Sequence, residues 1–184
     1  VSIPEIEADL VAAPGHKGLL GPLGTGLLYV GPGVEERLES LRQGGTGTHS
    51  DEDRQPSTVP DKYESGNHNV PGILGLAAGV GYLLDQGVEC LHREMQRLTG
   101  QLLDGLSSLP SLSIVGPTRA DRRVGVVSVQ SKDYDPQELA ASLDAANAIK
   151  VRAGIHCAPR MHAELKTLKS GGTVRFSLGP FTTD

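Results

Sequence analysis

Apolar residues recur along this chain in two rhythms. Residues 7–13 and 26–30 are short apolar runs bounded by turn residues, which predicts short, mostly buried strands. Val34, Leu38 and Leu41 fall at helical spacing among charged neighbours and predict an amphipathic helix over 34–41. Residues 43–68 show no apolar period. Residues 71–86 predict an apolar helix interrupted by Gly72, Gly75, Gly79 and Gly81, whose small faces suit close packing. A longer amphipathic helix follows over 88–109, with Leu91, Met95, Leu98, Leu102, Leu103 and Leu106 on one face.

The last third alternates. Residues 112–115 and 124–129 predict strands. Asp135-Pro136-Gln137-Glu138 is a capping box that opens a helix over 136–146. A strand over 149–152, a short helix over 159–168 and a strand over 173–178 complete the pattern. The order β-β-α-β-α-β suits a small α+β layer. Gln86-Gly87 breaks the helical pattern, so the expected units are 1–86 and 87–184.

Composition narrows the function classes. A formal net charge of -5 and 3% aromatic residues argue against a nucleic-acid partner or a membrane surface. No apolar run is long enough to span a bilayer. With only Cys90 and Cys157, a disulfide framework is excluded, and a reduced, cytoplasmic setting is expected. The chain starts on Val1-Ser2-Ile3-Pro4 and stops at Thr182-Thr183-Asp184, which reads as a helix cap without its helix. The expectation is a piece of a longer protein.

One stretch concentrates chemistry. Ala13-Pro14-Gly15-His16-Lys17-Gly18-Leu19-Leu20-Gly21-Pro22-Leu23-Gly24-Thr25-Gly26 holds a single lysine on a tightly shaped loop between two strands. It is either a structural turn or a site. A phosphate-binding P-loop is excluded, because Lys17 precedes most of the glycines and a strand follows. The remaining chemistry for a constrained lysine is a Schiff base with a carbonyl, formed by the neutral amine.

Gly15-His16-Lys17-Gly18 followed by Gly21-Pro22-x-Gly24-x-Gly26-x-Leu28-Tyr29-Val30 resembles the cofactor-lysine motif of class V aminotransferases. These are pyridoxal-phosphate enzymes with a fold-type-I architecture. The resemblance implies α/β units: the last part of a cofactor-binding large domain over 1–86, then a small C-terminal α+β domain over 87–184. It implies that Lys17 carries the cofactor and that His16 lies near its phosphate. It also gives the aperiodic loop a role. Gly44-Gly45-Thr46-Gly47 would cross a homodimer interface and bind the partner subunit's cofactor phosphate through Gly45 and either Thr46 or Thr48. Without the resemblance that loop reads as a disordered linker. Glu64, Gly66 and Asn69 match a family segment, whereas Asn67 stands where the family has threonine. Asn69 is equally well a helix N-cap.

Two distant clusters bear on the activity. In Arg152-Ala153-Gly154-Ile155-His156-Cys157-Ala158-Pro159, Cys157 is either a small buried residue or a nucleophile. The neighbouring His156, Arg152 and helix start favour its thiolate. The segment resembles the Arg-x-Gly-x-His-Cys-Ala stretch of cysteine desulfurases, in which the cysteine accepts sulfur as a persulfide. In the second cluster, Arg175 interrupts Val174, Phe176 and Leu178. Simple alternation would put Thr173, Arg175 and Ser177 outward. The resemblance implies that Arg175 clamps the substrate carboxylate, with Arg152, His156 and Asn69 around the substrate. The His and Cys spacings fit no zinc ligand set.

The activity implied is a pyridoxal-phosphate-dependent cysteine desulfurase. It acts on L-cysteine or L-selenocysteine as a homodimer that hands sulfur to an acceptor protein. The alternatives are a selenocysteine lyase, another class V aminotransferase or lyase, or a non-catalytic scaffold of the same fold. The residues that hold the cofactor ring are expected upstream of Val1, so the 184-residue chain alone is expected to be inactive.

Overall fold

The computed structural model describes residues 2–45, 49 and 51–183. Thr46 and Thr48 lie outside the described residues. The chain divides into two compact units, Val1–Gln86 and Gly87–Asp184.

The first unit begins with a single helical turn, α1 (Ile3–Ile6), followed by an antiparallel ribbon of β1 (Leu10–Pro14) and β2 (Gly26–Val30). Leu10 pairs with Val30 and Pro14 with Gly26, so the ribbon closes directly onto the lysine loop. Helix α2 (Val70–Gln86) then packs by an unusual face. Gly72, Gly75, Leu76, Gly79 and Val80 form its more buried stripe, at helical spacing, while Ile73 and Leu74 are exposed. The glycines admit the loop backbone. A Cβ at Gly79 would lie 2.6 Å from the Leu19 carbonyl oxygen, and one at Gly75 would lie 2.7 Å from Pro22. The small face thus sets how closely α2 approaches the loop that carries Lys17.

This contact predicts a sign reversal between two glycines of one helix. Alanine ordinarily stabilises a helix interior by about 1 kcal/mol relative to glycine. Gly81, with nothing within 4 Å of its Cβ position, should follow that rule. Gly79→Ala should instead destabilise by about 1–3 kcal/mol, because its neighbour is backbone that cannot rotate aside. Urea unfolding of the two variants measures the difference.

The helix expected over 34–41 does not form. Residues 32–37 are turns, closed by Leu38 N–H donating to the Val34 carbonyl at 3.0 Å. Gly31-Pro32-Gly33 before it and Gly44-Gly45 after it leave too few residues to offset the cost of helix nucleation. Its carbonyls serve the long loop instead. Tyr63 Oη donates to the Leu38 carbonyl at 3.0 Å, and Lys62 Nζ donates to that of Glu35 at 2.6 Å. Gly66 N–H donates to the Gly45 carbonyl at 2.9 Å. The described part of the aperiodic stretch is therefore tied down, contrary to a linker reading.

The second unit is an antiparallel four-stranded sheet in the order β3-β4-β6-β5. Its strands are β3 (Leu112–Val115), β4 (Val126–Ser131), β5 (Arg152–Gly154) and β6 (Thr173–Ser177). Helices α3 (Val88–Ser107) and α4 (Pro136–Asn147) cover one face, and a short α5 (Pro159–Glu164) joins β5 to β6. Leu103, Leu106, Val127, Val129 and Val174 form the buried core, at about 1.5–3 kcal/mol for each fully buried side chain. The capping box of α4 is present: Glu138 N–H donates to Asp135 Oδ1 at 2.9 Å.

Boundaries differ from the periodicity in several places, including the strand expected over 7–13, which runs Leu10–Pro14, and the helix expected over 88–109, which ends at Ser107. The strand expected over 124–129 starts at Val126, and Val124 is 75% exposed. The strand expected over 149–152 starts at Arg152, because Ile149 N–H is spent on the Leu143 carbonyl at the end of α4. Helix α5 stops at Glu164, where Lys166 turns left-handed (φ 55°) and the N–H groups of Thr167 and Leu168 fold back onto the His162 carbonyl.

Candidate functional site

Strand pairing builds the site in the second unit. Directly opposed residues of an antiparallel sheet share a face. Val127, Val129, Val174 and Phe176 point to the core, so Ser128, Arg152, Thr173 and Arg175 share the opposite face. Arg152 lies directly across from Arg175. Two like charges at such a position repel, and among the described residues no carboxylate pairs with either. Arg175 Nε is buried and makes no hydrogen bond there. The face is short of negative charge.

Beyond Gly154 the chain makes a sharp turn. His156 and Cys157 both take left-handed backbone conformations, with φ of 51° and 60°. Consecutive left-handed residues carrying a Cβ are unfavourable and persist only where their surroundings hold them. The turn leaves the free thiol of Cys157 exposed, with Arg152 Nη2 at 3.5 Å from Sγ. His156 folds inward: its Nε2 hydrogen-bonds Thr173 Oγ1 at 3.1 Å. This explains a departure from simple alternation. Thr173, expected outward, is only 1% exposed and shares a hydrogen bond with the imidazole.

Desolvation, then the charges of Arg175 and His162, hold the His156 imidazole below its ordinary range, with a smaller effect from Arg152; the Thr173 backbone acts in the opposite direction. The folded chain therefore binds this proton less readily than the unfolded chain. The stability contributed by neutral His156 is present above 6.5, the ordinary value, and is lost as pH falls below it. Between about pH 8 and about pH 5 the urea midpoint should decline, and His156→Gln should flatten the decline measured in parallel titrations.

The remaining candidates belong to the first unit. Lys17 is exposed at the tip of a loop fixed by backbone bonds. Gly15 N–H donates to the Thr25 carbonyl and Gly21 N–H to the Gly15 carbonyl, both at 2.8 Å. Thr25 Oγ1 donates to the Pro22 carbonyl at 2.6 Å. Gly15 is required there, since a Cβ would lie 2.2 Å from Thr25 Oγ1. His16 is exposed beside Lys17. Asn69 takes the capping role: its Oδ1 accepts from Gly72 N–H at 3.2 Å at the start of α2. Gly45 is left-handed (φ 65°) and held against Gly66.

The structure thus brings Arg152, His156, Cys157 and Arg175 together in the second unit and places Lys17, His16, Gly45 and Asn69 in the first. Thr173, His162 and Thr167 were not singled out from the sequence as parts of a site. His162 is 5% exposed, its ring 5.7 Å from that of His156, with Nδ1 bonded to Thr167 Oγ1 at 2.6 Å. No sequence motif marks these residues; only their contacts do.

A family model, Aminotransferase class-V, matches residues 1–184. This chain belongs to the class-V aminotransferase family. Among curated members, a probable cysteine desulfurase of Methanothermobacter thermautotrophicus is 35% identical over all of this chain and 46% of its own length. The apo cysteine desulfurase of Thermococcus onnurineus matches with a TM-score of 0.79 at 30% identity, over 98% of this chain and 44% of its own. The Escherichia coli cysteine desulfurase CsdA, in its S-sulfonic acid form, matches with a TM-score of 0.81 at 28% identity, over 98% and 44%. This class-V chain spans less than half the length of the relatives it matches. Its mixed helix and strand architecture is that of the corresponding part of these pyridoxal-phosphate-dependent folds.

Proposed function

We propose that this class-V chain supplies the cofactor lysine, the sulfur acceptor and the substrate clamp of a pyridoxal-phosphate-dependent cysteine desulfurase. In this reading residues 1–86 complete the cofactor-binding domain and 87–184 form the small domain. The observation that carries it is the unneutralised pair Arg152 and Arg175 beside an exposed thiol. Such a face suits the carboxylate of a small molecule that brings sulfur, and L-cysteine carries both groups. The desulfurase relatives support the same substrate.

The residues present fit the cofactor in a limited, specific way. An exposed primary amine on a rigid loop is what a carbonyl-bearing cofactor requires, and Lys17 is so held. His16, Gly45 and Thr46 are the proposed phosphate neighbours, the last two from a partner subunit. When bound, pyridoxal phosphate supplies an electron sink for bond breaking at the substrate Cα.

The chain's own residues then divide the work. Lys17 Nζ takes the Cα proton and returns it. Arg175, a planar and permanently charged fork, holds the substrate carboxylate, with Arg152 beside it. Cys157 Sγ attacks the substrate sulfur. The S–S bond forms as the substrate C–S bond breaks, Cβ keeps the electron pair and gains the proton given up by the Cys157 thiol, Cys157 keeps the sulfur as a persulfide, and the carbon skeleton leaves as alanine. A sulfur-acceptor protein empties Cys157 for the next cycle.

The test is alanine release from L-cysteine by the intact protein, and absence of alanine would reject the reading. Arg175→Lys keeps the charge but loses the fork. It should raise KM for cysteine by about 10- to 100-fold, the scale of a charge-assisted hydrogen-bonded contact. Steady-state kinetics over a range of cysteine concentrations would show it.

A further inference from the structure

We propose that Thr173 and His162 are positioning residues for Cys157, acting through His156, whose side chain they hold from two sides. The proposal rests on Cys157 being the sulfur acceptor. It starts from the two consecutive left-handed residues at the turn, His156 and Cys157. A backbone of that kind is retained only where the surroundings over-determine it. The flanking backbone supplies one hold, Ala158 N–H donating to the Ile155 carbonyl at 2.8 Å. The other hold is the His156 side chain.

That side chain is clasped from β6 and from α5. On β6, Thr173 Oγ1 lies 3.1 Å from His156 Nε2, and Thr173 is 1% exposed. A hydroxyl buried to that extent has no solvent to replace the imidazole as partner. On α5, the His162 ring packs at 52° to that of His156, with centroids 5.7 Å apart. His162 is itself locked by the buried Thr167 hydroxyl at 2.6 Å. The chain of contacts runs Thr167, His162, His156, Thr173, and the peptide that carries Cys157 leaves it at His156. The consequence is a distance: Sγ stays 3.5 Å from Arg152 Nη2. With His156 released, the turn can relax and the thiol leaves the guanidinium.

Thr173→Val tests this, because valine preserves shape and removes only the hydroxyl. Iodoacetamide alkylation of Cys157 in the intact holoenzyme is read by peptide mass spectrometry, with exposed Cys90 as the internal reference. The Cys157-to-Cys90 ratio should fall severalfold, because the released turn no longer holds Sγ in place against Arg152 Nη2. The kcat for alanine release should fall by a similar factor, with KM for cysteine within about twofold, as expected for an interaction that does not bind the ground state. Thr173→Ser restores the hydroxyl and should recover both quantities.

An unchanged alkylation ratio in Thr173→Val overturns the proposal. So does failure of Thr173→Ser to recover it, which would assign the loss to packing. Where the valine variant folds poorly, Thr173→Ala carries the same comparison with serine. The alkylation ratio is read without substrate, so its outcome is separate from the sulfur-acceptor reading, which fails instead if Cys157→Ala keeps desulfurase turnover.

Discussion

Replacing Lys17 with alanine should lower alanine release from cysteine by at least about 10³-fold while leaving the fold intact. The size follows from the two contributions proposed for Lys17, the covalent hold on the cofactor and proton transfer at Cα, the second alone worth about 10²–10⁴-fold. The retained fold follows from the geometry. Lys17 is exposed, and the loop contacts that fix it are backbone bonds or belong to Gly15, Thr25 and the glycine face of α2. Truncation of an exposed side chain should move stability by no more than about 0.5 kcal/mol. Two measurements are needed, steady-state turnover and urea unfolding. A Lys17→Ala protein that still turns over at a tenth of the parent rate would remove Lys17 from the chemistry, as would loss of cofactor absorbance that tracks unfolding instead of the substitution.

Replacing Cys157 with alanine should reduce desulfurase turnover by more than about 100-fold, because the proposed sulfur-accepting nucleophile is gone. Alanine retains the Cβ, so the left-handed conformation at this position (φ 60°) is no more strained than in the parent. The side chain is exposed, so stability should again change little. Mass spectrometry after one turnover adds a direct readout: a gain of one sulfur atom on the peptide containing Cys157 in the parent, and none in the variant. Unchanged turnover in Cys157→Ala would reject the persulfide role and turn attention to another class V reaction. The two variants differ in kind. Lys17→Ala should stop all chemistry at Cα, whereas Cys157→Ala should leave cysteine binding intact.

Much of the secondary structure was legible from local pattern. The long helices α2 and α3, the capped helix α4 and strand β6 announce themselves through period, capping chemistry and length. The helix over 34–41 was misread because its three apolar positions carry the right period but sit between glycine-rich turns. Tertiary contacts then claimed its carbonyls for Tyr63 and Lys62. Helix α2 was read correctly as a helix that packs closely. Nothing in its pattern said that the packed stripe would be Gly72, Gly75 and Gly79 with Ile73 and Leu74 outside. A hydrophobic period assumes that large apolar groups seek the core, whereas here the approaching loop backbone needs room.

By itself the sequence determined which chemical groups this class-V chain carries: one lysine on a glycine-shaped loop, one cysteine after an arginine turn, and one arginine within an apolar strand. Those are local facts, written in residue type and spacing. Only the tertiary structure decided which groups meet. The register of β5 on β6 puts Arg152 opposite Arg175, and the inward fold of His156 onto Thr173 spans seventeen residues of chain. Strand register and side-chain latches are set by contacts between distant segments, where burying the core face fixes which residues share the other face. A pattern read along the chain holds one segment at a time, so it can name the members of the site without saying how they are joined.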